Sequence, residues 1–272
     1  METLIFCNQN DAIAFALYQQ LLKMGKNTSL ITAEELQYAT SWIHELDSMG
    51  NGFTEIKLQN GNTIHSGEIK AVWNRIRYFP MMHFLNETDR YYAQNEMSAL
   101  YFSFLKSINN ALINPIEVYD LAVQEYNLLY LKHQANLAGL PVTDHHFTTS
   151  PRWQSSLDMI PMALQKKSSY SFNKKAPYLV WQNQPALFTE TSGEQICIWI
   201  VGGEIIGEVS KAQKKSLKKL SENLKKTFLE IHFAKTLKGC KVSFINTFPE
   251  FAPLKVIDSL LILLTQKNSK EK

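Results

Sequence analysis

Residues 3–32 read TLIFCNQNDAIAFALYQQLLKMGKNTSLIT, and this stretch decides the fold of the N-terminal part. Thr3 to Asn8 is a short apolar run of strand length. Asn10 or Asp11 then stands where a helix N-cap is expected, because a short polar side chain can accept from the first free amides of a helix. Ile13, Leu17, Leu21 and Leu22 recur at helical spacing up to about Gly25, and Thr28 to Thr32 supplies a second apolar run. A strand, a helix and a strand joined by short connections predict a small parallel sheet with crossover helices.

Working outward, Phe53 to Leu58, the turn residues Asn60-Gly61-Asn62 and Thr63 to Ser66 predict a hairpin. Ile69 to Ile76 reads as a strand with Trp73, Asn74 and Arg75 near its end. Residues 89–112 lack Gly and Pro and repeat apolar side chains through Met97, Leu100, Tyr101, Phe104 and Leu105, which predicts a long helix. Asn114-Pro115 breaks it, and a second helix is expected from Glu117 to Leu137, closed by Gly139. Residues 150–184 are aromatic, polar and weakly periodic, so they read as mixed strand and loop. Ile196 to Val201, Gly202-Gly203 and Glu204 to Val209 predict another hairpin. Leu217, Leu220, Leu224, Phe228 and Ile231 recur at spacings of three and four and predict an amphipathic helix. Val242 to Asn246 reads as a strand and Leu254 to Gln266 as a closing helix.

With 272 residues, 45% of them hydrophobic and 19% charged, the chain can bury a sizeable core, which argues against disorder. No apolar run reaches the length of a membrane-spanning helix, and the opening Met-Glu-Thr-Leu-Ile-Phe lacks a basic segment of the secretory kind, so a cytoplasmic location is expected. Cys7, Cys197 and Cys240 are far apart with no Cys-x-x-Cys pair, which fits a reducing compartment and argues against a disulfide framework and a zinc site. Residues 211–226 carry seven lysines against Glu222, a local charge of +6 in a chain of net +3, leaving 3 − 6 = −3 for the rest. Lysine without arginine or interleaved aromatics suits a solvated helix face better than a nucleic-acid or anionic-membrane patch, which stands as the weaker reading of Lys211 to Lys226, so nucleic acid is not expected as a partner. Neither Gly-x-Ser-x-Gly nor a Walker-type phosphate loop occurs.

The order of these pieces resembles the ATP-grasp superfamily, in its peptide-ligase branch of microviridin-type and glutamate-adding ligases. Val72-Trp73-Asn74-Arg75 is similar to that branch's strand ending in an aromatic residue and an arginine. Glu96 opens a helix leading to Ile113-Asn114-Pro115, similar to the segment that introduces the nucleotide domain. Ala138-Gly139-Leu140-Pro141-Val142-Thr143 with Thr148-Thr149-Ser150-Pro151 resembles the turn into the first strand of the grasp. Leu187 to Glu190, Ile196 to Gly203 and Phe244-Ile245-Asn246 through Pro249-Glu250 resemble its second half. The resemblance covers residues of about 70–250. It implies an α/β protein with a small parallel-sheet N-terminal domain (1–88), a linking helix (89–116) and a reduced ATP-grasp-like α+β domain (117–272).

Ligases of this branch phosphorylate a carboxylate with ATP and let an amine attack the acyl phosphate, which requires lysine or arginine on phosphate and magnesium on hard oxygen ligands. By alignment, Tyr126 or Asn127 stands at the family's first phosphate lysine, Cys197 at its arginine, Ala234 near its first magnesium carboxylate and Phe244 at the glutamate of its Glu-Val-Asn signature. Of that signature only Asn246 remains, and Ser150 to Trp181 contains no glycine from which to build the phosphate lid. The expectation is therefore a degenerate, non-catalytic peptide- or protein-binding subunit with no cofactor. Its partner would be an active ligase or another maturation enzyme, in a homo- or heterodimer. The alternative is a divergent ATP-dependent carboxylate–amine ligase using ATP and Mg2+. Lys166, Lys167, Lys174 or Lys175 would then sit on phosphate, Glu190 near the nucleotide, and Asn246 and Glu250 near magnesium. Arg75 and Arg77 are candidates to hold a substrate carboxylate by a bidentate contact; the competing reading is a structural ion pair, with Glu96 as the suggested partner.

Overall fold

In the computed structural model the described residues are 3–49, 51–76, 78–80, 84–116, 127–148, 159–161, 186–190, 195–236, 239–249 and 251–267. Strand β1 (Thr3–Cys7) is buried at every residue because it is the middle of a parallel sheet, between β2 (Thr28–Thr32) and β6 (Ala71–Arg75). Its register sets Thr3 against Thr28 and Ala71, and Cys7 against Thr32 and Arg75. Helix α1 (Ala12–Lys23) begins as expected at Asp11, whose Oδ1 accepts from the Ala14 amide at 3.0 Å. A short helix α2 (Ala33–Gln37) follows β2 and starts with a reciprocal cap between Thr32 and Glu35.

A second, antiparallel sheet has the order β3 (Ser41–Leu46), β4 (Gly52–Lys57), β5 (Thr63–His65). β4 and β5 are the predicted hairpin, whereas β3 is not foreseen because its SWIHEL sequence carries little alternation. Helix α3 (Glu87–Ser107) packs Tyr101, Phe104 and Leu105 with Leu4 and Phe6 of β1 and Ile56 of β4 in one core cluster. The opposite side of β1 packs against α1 and the closing helix α6 (Leu254–Lys267).

The second half is organised by helix α4 (Asn127–Leu137), a small sheet of β7 (His145–Thr148), β9 (Ala186–Glu190) and β8 (Met159–Pro161), and a larger antiparallel sheet. The larger sheet has the order β11 (Glu204–Ile206), β10 (Gln195–Val201), β12 (Phe228–Thr236), β13 (Gly239–Asn246). The β10–β11 turn is Gly202-Gly203, both with positive φ (58° and 90°), the conformation that a tight two-residue hairpin demands. Helix α5 (Lys211–Leu224) carries the lysines outward and buries Leu217, Leu220 and Leu224 with Leu131 and Ala135 of α4.

The amphipathic helix expected to include Phe228 and Ile231 ends earlier. Lys225 adopts a left-handed conformation, and the following FLEIHFAKT alternates at period two and forms β12. Asn114 fixes the start of that strand. Its Oδ1 accepts from the Thr227 and Phe228 amides at 2.9 Å each, and its Nδ2 donates to the carbonyls of Phe228 at 2.8 Å and Thr247 at 3.3 Å. Mixed helix and strand with one parallel sheet and separate antiparallel sheets is the architecture the sequence implied. No helix among the described residues is long and apolar enough to cross a membrane.

Candidate functional site

The site is built by three neighbouring strands of the larger sheet. Leu229, Ile231 and Phe233 of β12 are buried in the core formed with α4 and α5, so strand alternation turns Phe228, Glu230 and His232 to the other face. On that face Phe228, Trp199 and Val201 are sealed against Trp73 and the apolar side of α6. Farther along the same strands the face carries Cys197, Glu230, His232, Phe244 and Asn246, all at least partly open to solvent. Cys197 is paired with His232, Trp199 with Glu230, Asn246 with Glu230 and Phe244 with His232. A bulge between His232 and Phe233 shifts the β12–β13 register immediately beyond, a device that re-aims side chains.

Glu230 is the centre of the polar contacts. Its Oε1 accepts from the His232 imidazole at Nε2, 2.9 Å away, and from the Cys197 thiol at 3.7 Å. A carboxylate only accepts, so the imidazole proton lies on Nε2 in this arrangement. Oε2 accepts from Asn246 Nδ2 at 2.9 Å, while Asn246 Oδ1 accepts from the Phe248 amide at 2.9 Å. That backbone N–H fixes the amide orientation, since it must meet oxygen rather than nitrogen. Cys197 Sγ and His232 Nε2 are 4.0 Å apart, and the Phe244 ring stands edge-on to the imidazole at 5.7 Å. Burial, with the charge and hydrogen bond of Glu230, pushes the Cys197 thiol up to about 12.

The donor set does not fit magnesium. Mg2+ takes hard oxygen ligands in near-octahedral geometry. Here a thiol, an imidazole and one carboxylate converge, with ligand atoms all within 4.8 Å of one another, and Asn246 turns its nitrogen toward them. Where the alignment puts Ala234 near the first magnesium carboxylate, the register sets His232 opposite Phe244; Ala234 is buried and paired with Lys241 and Gln195.

Arg75 is enclosed, 3% exposed, at the C-terminal end of β6. Its Nε donates to Asp11 Oδ2 at 2.6 Å and Nη1 to the Pro249 carbonyl at 2.8 Å. The guanidinium lies 4.8 Å from the Trp73 ring centre and 5.1 Å from that of Phe248. Among the described residues its ion pair is with Asp11, whereas Glu96 is exposed on α3. Arg75 therefore ties the parallel sheet to the segment after β13. Glu190 ends β9, its backbone paired with Met159. Arg77, Lys166, Lys167, Lys174, Lys175 and Glu250 lie outside the described residues.

Sequence reasoning names Asn246 and misses Glu230 and His232, because the helical spacing of Phe228 and Ile231 hides the strand that carries both. Cys197 enters it only at the family's arginine position and as a cysteine without a local partner, read against a zinc site. The usable signal was the alternation of Leu229, Ile231 and Phe233 with Phe228, Glu230 and His232.

No protein-family model matches the chain, and no curated protein sequence matches it. Solved structures do. The macrocyclase MdnC from Microcystis aeruginosa, bound with its precursor peptide MdnA, is similar with a TM-score of 0.71 at 17% identity, over 98% of this chain and 100% of that one. A RiPP-associated ATP-grasp ligase from Chryseobacterium gregarium, in complex with ADP and a leader and core peptide, gives a TM-score of 0.71 at 14% identity, over 98% of this chain and 97% of that one. A RimK domain ATP-grasp protein from Sphaerobacter thermophilus gives 0.54 at 11% identity, over 97% and 100%. The chain thus shares the ATP-grasp fold of these structures.

Proposed function

We propose that the protein is a peptide-binding, non-catalytic member of the ATP-grasp fold, acting as a partner subunit of an active ligase or another maturation enzyme. One observation carries this reading. On β12 and β13, where a ligase of this fold would need converging hard oxygens for Mg2+, the sheet face presents His232, Phe244 and Cys197 around Glu230, the one carboxylate of that cluster among the described residues, and the Asn246 amide nitrogen faces it. Active chemistry calls for two or more carboxylates converging with a lysine. Neither phenylalanine nor a neutral thiol neutralises charge on a transferring phosphoryl group. The solved structures that share the fold are described with precursor or leader and core peptides, which supports a peptide as the partner inherited with the fold.

A second reading has one observation in its favour. Glu230 places an acid beside Asn246 that the sequence does not single out, so a divergent carboxylate–amine ligase using ATP and Mg2+ gains a candidate ligand in addition to Asn246 and Glu250. Calorimetry of ATP with and without magnesium, on the full chain, separates the two. The expected result is no magnesium-dependent binding at millimolar ATP and no consumption of nucleotide. Magnesium-dependent binding would overturn the non-catalytic reading, and the search would move to its acid and amine substrates.

A further inference from the structure

The misfit to magnesium has a positive counterpart. We propose that Cys197, Glu230 and His232 form a binding site for a borderline-soft divalent transition metal of the zinc class. Thiolate, imidazole and carboxylate are the ligands zinc takes, and three protein ligands leave its fourth tetrahedral position to water or an incoming donor.

The geometry is close to what the metal needs. Tetrahedral bonds of the usual lengths set sulfur–nitrogen, sulfur–oxygen and nitrogen–oxygen edges of about 3.6, 3.6 and 3.4 Å. The corresponding atoms are 4.0 Å (Cys197 Sγ to His232 Nε2), 3.7 Å (Cys197 Sγ to Glu230 Oε1) and 2.9 Å (His232 Nε2 to Glu230 Oε1) apart. The three separations thus differ from those of a tetrahedral site by about half an ångström or less. The thiol and imidazole now both donate to one carboxylate oxygen, and a cation at their common centre takes the place of those two hydrogens. The thiol proton passes to solvent, and the imidazole carries its proton on Nδ1. The three ligands are rigidly supplied, since β10 and β12 are paired through seven successive residues. Asn246 already holds the second oxygen of Glu230, the kind of outer partner that orients a metal-binding carboxylate. The missing Cys-x-x-Cys pair is no obstacle, because the sheet register brings together residues 33 to 35 positions apart in the chain.

The inference needs no nucleotide and stands apart from the proposed function, so it is tested on the full chain without ATP. After chelation under reducing conditions, zinc is titrated against a chromophoric chelator and cobalt is titrated as a spectroscopic probe. The expected result is one saturable zinc per chain, undisturbed by excess magnesium, and a thiolate-to-cobalt charge-transfer band. Cys197→Ser removes the band. Glu230→Gln and His232→Gln each weaken zinc by at least about tenfold, and Asn246→Leu, which frees the carboxylate, weakens it by about 10–100-fold. Cys240→Ser leaves the site unchanged. Circular dichroism checks the fold of each variant, and His232→Gln decides the matter if Cys197→Ser does not fold. Absence of saturable zinc binding at micromolar metal, or affinity and charge-transfer band indifferent to both substitutions, overturns the proposal.

Discussion

Two polar clusters stand in the two sheets that meet at Trp73 and Phe228, and they differ in one respect. Around Arg75 the partners among the described residues are inside: Asp11, the Pro249 carbonyl and two aromatic rings enclose a guanidinium that is 3% exposed. Around Glu230 the partners are as numerous, yet His232 and Glu230 keep 24% and 15% of their side-chain surface open, and Cys197 is exposed. Asp11 has both oxygens occupied, one by the α1 cap and one by Arg75. Glu230 has three donors, two of which are themselves metal-ligand atoms. Saturation inside the protein makes a structural tie, whereas convergence at an open face makes a place where a ligand can compete.

The largest expected effect breaks or upholds that distinction directly. Arg75→Ala leaves the largely enclosed Asp11 carboxylate without its charge partner, and breaking such a pair costs up to about 3–5 kcal/mol. Glu230→Gln, which keeps an oxygen able to accept from His232, should cost about 1 kcal/mol or less. Denaturant midpoints of the two variants measure the difference. Equal losses would mean that the Glu230 cluster is as structural as the Arg75 tie.

A smaller effect sharpens the closed side. Lys132 of α4 is fully buried, with Nζ donating to Thr143 Oγ1 at 2.9 Å, and burial pulls its ammonium down to about 8. The folded value lies below the unfolded one of about 10.4, so above pH 8 the unfolded chain holds more protons and stability rises with pH. That contribution amounts to about 1 kcal/mol between pH 8 and 9. Burial pushes the Cys7 thiol up to about 12, and partial burial of the sulfur together with the Glu230 carboxylate does the same at Cys197; both act in the opposite direction as unfolded thiols ionise. The readout is therefore the difference between the wild type and Lys132→Met, in which the thiol contributions cancel. The gap in stability should shift in favour of the wild type over that interval.

The fold was largely legible because its deciding signals are local. Asp11 caps α1, Gly202-Gly203 turns β10 into β11, and the apolar runs 3–7 and 28–32 each carry their own periodicity. The candidate site was not legible, because its residues are joined only by cross-strand register. Cys197 and His232 are neighbours through β10–β12 pairing, which no local spacing encodes. Arg75 shows the same limit, since its partner Asp11 lies 64 residues away and was sought on α3 instead.

The boundary that hid the site is itself open to a test, with the smallest expected effect. Leu217, Leu220 and Leu224 fit a helical stripe, and Phe228 and Ile231 continue the same three-and-four spacing by coincidence. The chain leaves the helix at Lys225, whose φ of 51° and ψ of 36° are left-handed, a conformation that crowds any side chain with a Cβ. Its amide still donates to the Glu222 carbonyl, and the Lys226 amide to that of Ser221, so the turn is a helix C-cap built without glycine. Glycine at this position relieves the crowding but gives the unfolded chain more freedom to lose, so Lys225→Gly should stabilise by a net of about 0.5 kcal/mol. A continuous helix through Ile231 would respond with the opposite sign, since glycine inside a helix costs about 1 kcal/mol. Ending the helix there starts β12 at Phe228, and Phe228 two residues before Glu230 is what sets Glu230 and His232 on the open face together. The sign of one thermal-melt difference thus tests the turn on which the whole Cys197–Glu230–His232 arrangement depends.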